Sequence, residues 1–343
     1  MSEQSLPKVE ILMATYNGEK YIRKQLDSIL NQSYQNWNLL VRDDGSNDNT
    51  VSILNEYAKR DSRIKIMINT SNIHGWQQNF QELMFSADLK CEYFMFCDQD
   101  DIWLNDKIRD YVIKMNKLSL SNPGRPIVVY SDMDIIDEKD NITEPSMNKV
   151  YPINVKRITD CFFSQRIYGC NEMLNRKVIT LCCEVLDYNY HKDMAHDGFV
   201  VKATAADDGV LCFIPRIYMH YRRTNTNATG NQELNMSVNK VVNKIMHFRS
   251  AIKDQVPTYK QSLWFFTIVK DHESLFSASM KMLEIEKAIR SGGFELLKVW
   301  VKYHVTCGTR MQSLSHFFVL FTGSHKKYLK LPQHQAVRQN RLT

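Results

Sequence analysis

Along the first 130 residues, short apolar runs of β-branched and aromatic character alternate with longer stretches whose apolar positions recur every three to four residues. Residues 9–14 predict a buried strand, and Tyr21, Leu26, Ile29 and Leu30 mark one face of the helix after it. Residues 38–42 predict a second strand, and Val51, Leu54, Tyr57 and Ala58 mark a second helix beyond the polar loop 43–50. Residues 64–68 and 93–97 predict a third and a fourth strand, with a helical stretch around 76–85 between them. A helix over about 104–120 ends at Asn122-Pro123-Gly124, where both chain breakers stand together. Strands alternating with helices need crossover connections, and so a mainly parallel sheet covered on both faces.

The pattern loosens over 127–231, with short strand candidates at 127–130, 210–214 and 217–221. From about Glu233 onward it is helical and basic, and it closes in a polar tail, 332–343, predicted to be poorly ordered. Two regions are therefore expected, an α/β domain over 1–230 and a helical extension over 231–343. In the extension Phe294, Leu297, Trp300, Val301, Phe317, Phe318 and Phe321 alternate with Lys298, Lys302, Arg310, Lys326 and Lys327. Such a stripe either packs on its own domain or lies on a membrane surface.

Composition narrows the class. At 343 residues, 43% hydrophobic and 24% charged, the chain can bury a large core, which excludes disordered, collagen-like and coiled-coil proteins. The net charge of +6 is small, is expected to be evenly spread and has no basic block, which argues against a nucleic-acid partner. Eight cysteines without a CxxC pair, several inside apolar runs, read as core thiols of a reducing compartment. Residues 1–8 lack an apolar leader core, and the longest strongly apolar run, 263–269, is far too short to span a bilayer. A cytoplasmic protein, soluble or peripheral at the membrane, is expected.

In open parallel sheets the ligand crevice lies at the carboxyl ends of the strands. Here the loops at those ends are polar and acidic: Thr15-Tyr16-Asn17-Gly18, then Asp43-Asp44-Gly45-Ser46-Asn47-Asp48, then Asp98-Gln99-Asp100-Asp101. Acidic loops crowded at one edge repel one another unless a cation or a set of donors sits between them, and a divalent metal with a nucleotide suits that place. Carboxylates spaced by one residue, as in Asp98 and Asp100, can share a hard cation that neutralises a departing diphosphate. Alternatively Asp100 or Asp101 caps the following helix. Asp43 and Asp44 either form a tight turn or meet a nucleobase and its ribose.

These residues resemble the inverting family 2 glycosyltransferases of the GT-A fold. The resemblance covers about residues 9–230. It is carried by residues 11–18, by 28–34, by Arg42-Asp43-Asp44-Gly45-Ser46, by Asn72 with Gly75 and Asn79, and by Cys97-Asp98-Gln99-Asp100-Asp101-Ile102-Trp103. The Asp-Gln-Asp-Asp-Ile-Trp form, with Tyr130-Ser131-Asp132 and a late His-Asp pair, is most similar to the bacterial rhamnosyltransferase-like branch, which assembles cell-surface polysaccharides. The resemblance implies a GT-A α/β fold and a nucleotide-sugar donor, with dTDP-rhamnose first and UDP-sugars second. It further implies Mg²⁺ or Mn²⁺ as cofactor and a saccharide acceptor that is lipid-linked. It implies that Thr15, Tyr16, Asn17, Asp43 and Asp44 line the nucleoside and that Asp98 and Asp100 hold the diphosphate and metal.

An inverting displacement needs a carboxylate base for the acceptor hydroxyl. The resemblance places it at Asp197 in Ala195-His196-Asp197-Gly198-Phe199, although an Asp there also suits a helix start, and Asp193 and Asp207 are rival carboxylates. His196 is a candidate to touch donor or acceptor, and Gly169 a candidate for close backbone approach to ligand. Arg222 or Arg223 could fork onto the diphosphate. Two departures stand out: Gly198-Phe199 replaces the paired aromatics common in relatives, and the stretch 221–227 lacks their usual His. A non-catalytic nucleotide-binding relative, serving as an assembly partner in a polysaccharide complex, is the competing reading. A nucleotidyltransferase would ordinarily need a Gly-rich phosphate loop, which residues 15–18 are not.

Overall fold

The structure, a computed structural model, describes residues 6–186, 195–224 and 248–329. Strands β1 (Val9–Thr15), β2 (Trp37–Asp43), β3 (Ile64–Ile68) and β4 (Tyr93–Cys97) run parallel in the order β3-β2-β1-β4. The connecting helices are α1 (Ile22–Leu30), α2 (Thr50–Arg60) and α3 (Trp76–Phe85). Alternate residues of each strand enter opposite cores, as the two-residue period requires. Ile11 and Met13 of β1 face one core with Met95 and Cys97 of β4, while Leu12, Phe94 and Phe96 face the other.

Beyond this half the sheet becomes mixed. After β5 (Ile102–Trp103) and helix α4 (Lys107–Ser121) come β6 (Ile127–Ile136), β7 (Ile142–Glu144) and the one-turn helix α5 (Met147–Val150). Then follow β8 (Glu172–Asn175), helices α6 (Arg176–Leu186) and α7 (His196–Ala206), and β9 (Val210–Arg222). β8 runs antiparallel between β4 and β6, and β9 lies parallel to β6. The helix expected from 104 starts at Lys107 because Ile102 and Trp103 pair with His220 and Met219 of β9. The two strands expected at 210–214 and 217–221 are one. A register shift at Ser131/Asp132 of β6 carries β9 past Pro215 and Arg216, where a proline is tolerated.

Helices α8 (Phe248–Lys270), α9 (Ser279–Ser291), α10 (Gly293–Lys302) and α11 (Arg310–Phe321) complete the described chain. They pack on the α3, α6 and α7 side of the sheet, sharing its core. Phe162 stacks on Phe266 at 5.1 Å, and Phe199 of α7 meets Phe265 edge-on at 5.5 Å. The buried Asp160 carboxylate accepts from the backbone N–H of Thr306 at 2.9 Å and pairs with Arg166 at 3.5 Å, tying the α10–α11 connection to the sheet domain. The boundary expected at 230/231, the tail 332–343, residues 225–227 and the rival carboxylate Asp193 lie outside the described residues. All eight cysteines are free thiols, seven of them buried. Among the described residues no helix is long and apolar enough to cross a membrane.

Candidate active site

The carboxyl ends of β1, β2, β3 and β4 lie side by side, with Thr15 opposite Asp43 and Asp43 opposite Ile68. The register alone therefore brings the polar loops together. Within them the acidic residues fall into two groups.

Asp43 and Asp44 are both buried and both bonded within the protein. Asp43 accepts from the backbone N–H of Gly45 at 3.1 Å and of Ser46 at 2.8 Å, from Thr15 Oγ1 at 2.9 Å and from Ser46 Oγ at 2.6 Å. Asp44 accepts from Asn69 Nδ2 at 2.7 Å and from the backbone N–H of Gly75 at 2.8 Å, with the Arg42 guanidinium 3.6 Å away. Asn79 holds that arginine, accepting from Arg42 Nη1 at 2.8 Å, while Asn72 stays exposed. Asn17, in the left-handed region at φ 48°, is bonded to loop 43–50 through Ser46 Oγ and the Asn47 N–H. Thr15, Asn17, Asp43 and Asp44 thus build the loops that frame the crevice, and Tyr16 stands half-exposed at its rim.

Gln99, between the two carboxylates, clasps the backbone N–H and C=O of Tyr16 with its amide, each at 2.9 Å. A Cβ at Gly18 would press on the end of that Gln99 side chain and displace its amide.

The second group is different. At the end of β4, burial together with the charges of Asp100 and Asp197 pushes the Asp98 carboxyl up to about 7. Asp101 accepts from the backbone N–H of Arg222 at 2.9 Å, but its Oδ2 is buried with no hydrogen-bond partner among the described residues. It does not cap α4, whose N-cap position is Asp106. Asp98, Asp101 and Cys170 can each bring one ligand atom within 4.8 Å of the others, whereas Asp100 falls outside this group. Oxygen donors so crowded fit a hard divalent cation, and burial raises the Cys170 thiol well above its ordinary value. Lys107 lies beneath the cluster, donating to the Cys170 carbonyl at 2.9 Å and sitting 4.1 Å over the Trp103 ring. Burial lowers its pKa to about 8 despite the acids around it. Only its place four residues after an aromatic strand end could have marked it in the sequence.

Arg222 is fully buried. Its Nε donates to the Asp100 carbonyl at 2.7 Å and its Nη1 to the Asp137 carbonyl at 2.8 Å, with Asp140 at 2.6 Å and the Tyr21 ring 4.4 Å beneath. Its fork of donors is engaged in fastening the Asp98 to Asp101 loop to the β6–β7 turn.

Asp197 stands in the first turn of α7, accepting from the Gly198 N–H at 2.6 Å. Burial raises its pKa, opposed by the Gly198 backbone N–H, the Lys202 ammonium and the Gly169 backbone N–H. His196 is neutral, its pKa lowered to about 3 by burial. Its ring stacks on Phe80 at 3.8 Å and meets Phe96 edge-on at 4.6 Å, and neither nitrogen has a hydrogen-bond partner among the described residues. Gly169 abuts that ring so closely that a Cβ would collide with Nε2, so the glycine makes room for His196. Asp207 lies at the far end of α7 from Asp197 and accepts from the Ser277 N–H at 3.2 Å. Glu172 of β8 was not anticipated. It is fully buried with both oxygens unpartnered among the described residues, within the field of Asp197.

The sequence profile of glycosyl transferase family 2 matches residues 10–178. An uncharacterized glycosyltransferase of Rickettsia prowazekii is 30% identical over 235 residues, covering 66% of this chain and 68% of that protein. This chain belongs to glycosyl transferase family 2. Within the family, a dTDP-rhamnosyl transferase, RfbG of Shigella flexneri, is 40% identical over 102 residues, 29% of this chain and 35% of that one. The matched stretches span 27% to 68% of the lengths of such curated relatives. Among solved structures, S. aureus TarS 1–349 in complex with UDP-GlcNAc superposes with a TM-score of 0.50 at 13% identity, covering 93% of this chain and 92% of that one. The likeness shows the GT-A fold.

Proposed function

We propose that this family 2 chain transfers a sugar, with inversion, from a nucleoside-diphosphate donor to a saccharide acceptor, lipid-linked, in cell-surface polysaccharide assembly. The observation that carries the reading is the meeting of two acidic elements: the partner-poor carboxylates at the end of β4, and Asp197 in the first turn of α7, whose charge reaches Asp98. Asp98 and Asp100 or Asp101 would hold Mg²⁺ or Mn²⁺, which when bound neutralises charge on the diphosphate. Asp197 accepts the proton of the acceptor hydroxyl as that oxygen bonds to the anomeric carbon and the bond to the diphosphate breaks on the opposite face. Its raised pKa suits a base that must take a proton and later release it. Arg222 and Gln99 act at one remove, fixing the loop that carries Asp98. The similarity to a dTDP-rhamnosyl transferase supports dTDP-rhamnose as the first donor to try, and UDP-sugars as the second.

Calorimetric titration of dTDP, UDP, GDP and their sugar conjugates, with and without Mg²⁺ or Mn²⁺, tests the reading. Metal-dependent binding, tightest for one nucleotide sugar, is expected. Folded protein that binds none of them would instead make it a non-catalytic assembly partner.

A further inference from the structure

We propose that the outward face of α10 and α11 seats this protein on an anionic lipid surface, its apolar side chains entering the interface and the surrounding Lys and Arg meeting lipid phosphates. A lipid-linked acceptor, as in the function proposed above, gives such a face its use, but the docking stands on its own observations.

The first is the apolar surface. On α10, Phe294, Leu297 and Val301 recur at helical spacing on the solvent side, Phe294 being 78% and Val301 62% exposed. On α11, Leu314, Phe318 and Phe321 do the same, Phe318 being 48% exposed. The opposite sides of both helices are already used, with Leu296, Val299, Val319 and Leu320 buried in the core. Each helix thus exposes apolar side chains opposite its buried side, and exposed apolar patches mark interaction sites. The two helices pack against one another. Trp300 meets Phe317 edge-on at 5.3 Å, and Gly292 (φ +63°) lets the Leu320 carbonyl approach where a Cβ could not fit.

The second is charge. The even spread expected from the overall composition does not hold: residues 296–343 contain eight Lys and Arg and no Asp or Glu, more positive charge than the net +6 of the whole chain. Lys298 and Lys302 pair with Glu295 and Glu284, while Arg310, Lys326 and Lys327 have no carboxylate partner among the described residues. Exposed apolar stripes on a segment with this excess of positive charge complement a surface with a hydrocarbon interior and anionic headgroups. Helices of 10 and 12 residues are too short to cross a bilayer and so would lie along it.

Co-sedimentation of the full chain with vesicles tests this, comparing phosphatidylcholine alone with phosphatidylcholine containing phosphatidylglycerol. We expect at least about tenfold stronger partitioning onto the anionic vesicles, weakening with salt. Lys326→Glu with Lys327→Glu should lower it by roughly fivefold or more per residue, and Phe294→Ser with Phe318→Ser should reduce it on either vesicle. Equal or absent sedimentation on both vesicles overturns the proposal. So does light scattering showing a dimer that the Ser variant dissociates, which would assign the face to a second copy. Nucleotide-sugar binding measured on the same variants stays at the wild-type level, so a failure of docking is separable from a failure of the transferase reading.

Discussion

The two groups of carboxylates at the strand ends are near neighbours in the fold and opposite in character. Around Asp43 and Asp44 every oxygen meets a donor from the protein, from hydroxyls, amides and backbone N–H groups. Around Asp98, Asp101, Asp197 and Glu172 the bonding is less complete: among the described residues three buried carboxylate oxygens have no hydrogen-bond partner, one on Asp101 and both on Glu172. Folding tolerates a buried acid readily when it is bonded and poorly when it is not. The first group is therefore held in place by the protein's own donors. The second is held at a cost to stability that a ligand or a proton transfer would justify, and substitutions should separate the two groups cleanly.

The largest effect belongs to Asp197. Asp197→Asn keeps the first-turn geometry and removes the proton acceptor, so transfer should fall by about 10³-fold while donor affinity changes by less than about twofold. Single-turnover transfer and calorimetry on one preparation check both halves. Retained transfer would move the base to another carboxylate.

In the first group the readout is stability. Asp43→Asn leaves one acceptor oxygen where two carboxylate oxygens served four donors, and should destabilise the protein by about 2–4 kcal/mol in urea unfolding. If stability were unchanged and donor binding abolished, Asp43 would belong with the ligand-facing acids.

Glu172 gives the opposite sign. Burial first, and the Asp197 charge second, hold its carboxyl protonated well above the ordinary 4.5. The folded protein retains a proton that the unfolded chain releases near pH 4.5, so this contribution is fully present below that pH and is lost as pH rises toward the folded value. Glu172→Gln keeps the shape without the proton. It should be more stable than the parent by about 1–3 kcal/mol at pH 8 and nearly equal to it at pH 4. A loss of stability at both pH values would reveal a bonding role for the carboxyl.

Much of this was legible in the sequence where local pattern and local chemistry coincide. The strands at 64–68 and 93–97 and the helix at 76–85 match the structure residue for residue, because each is a self-contained periodic run. The short strand β8 was missed, since Glu-Met-Leu-Asn has no pattern of its own and pairs only because β4 and β6 flank it. The site was legible as a set of loops, not as a wiring diagram. That Asp101 and Cys170 gather beside Asp98, and that Gln99, Lys107 and Arg222 hold those loops, depends on contacts between residues up to 122 positions apart. No spacing rule encodes such contacts.

Gly169 and His196 bear on the same comparison from the side of packing. If the glycine serves to admit a ligand, changing it affects binding and leaves the histidine indifferent. If it serves the ring, the two are coupled in the free protein. Gly169→Ala forces a methyl group into the imidazole stacked on Phe80, an overpacking that should destabilise by about 1–3 kcal/mol. His196→Ala opens the space that the methyl group needs. The double variant should then recover about 1 kcal/mol relative to the sum of the single changes, a coupling that unfolding of the ligand-free protein can resolve. Strict additivity there, with donor or acceptor affinity lost in Gly169→Ala alone, would return the glycine to the ligand.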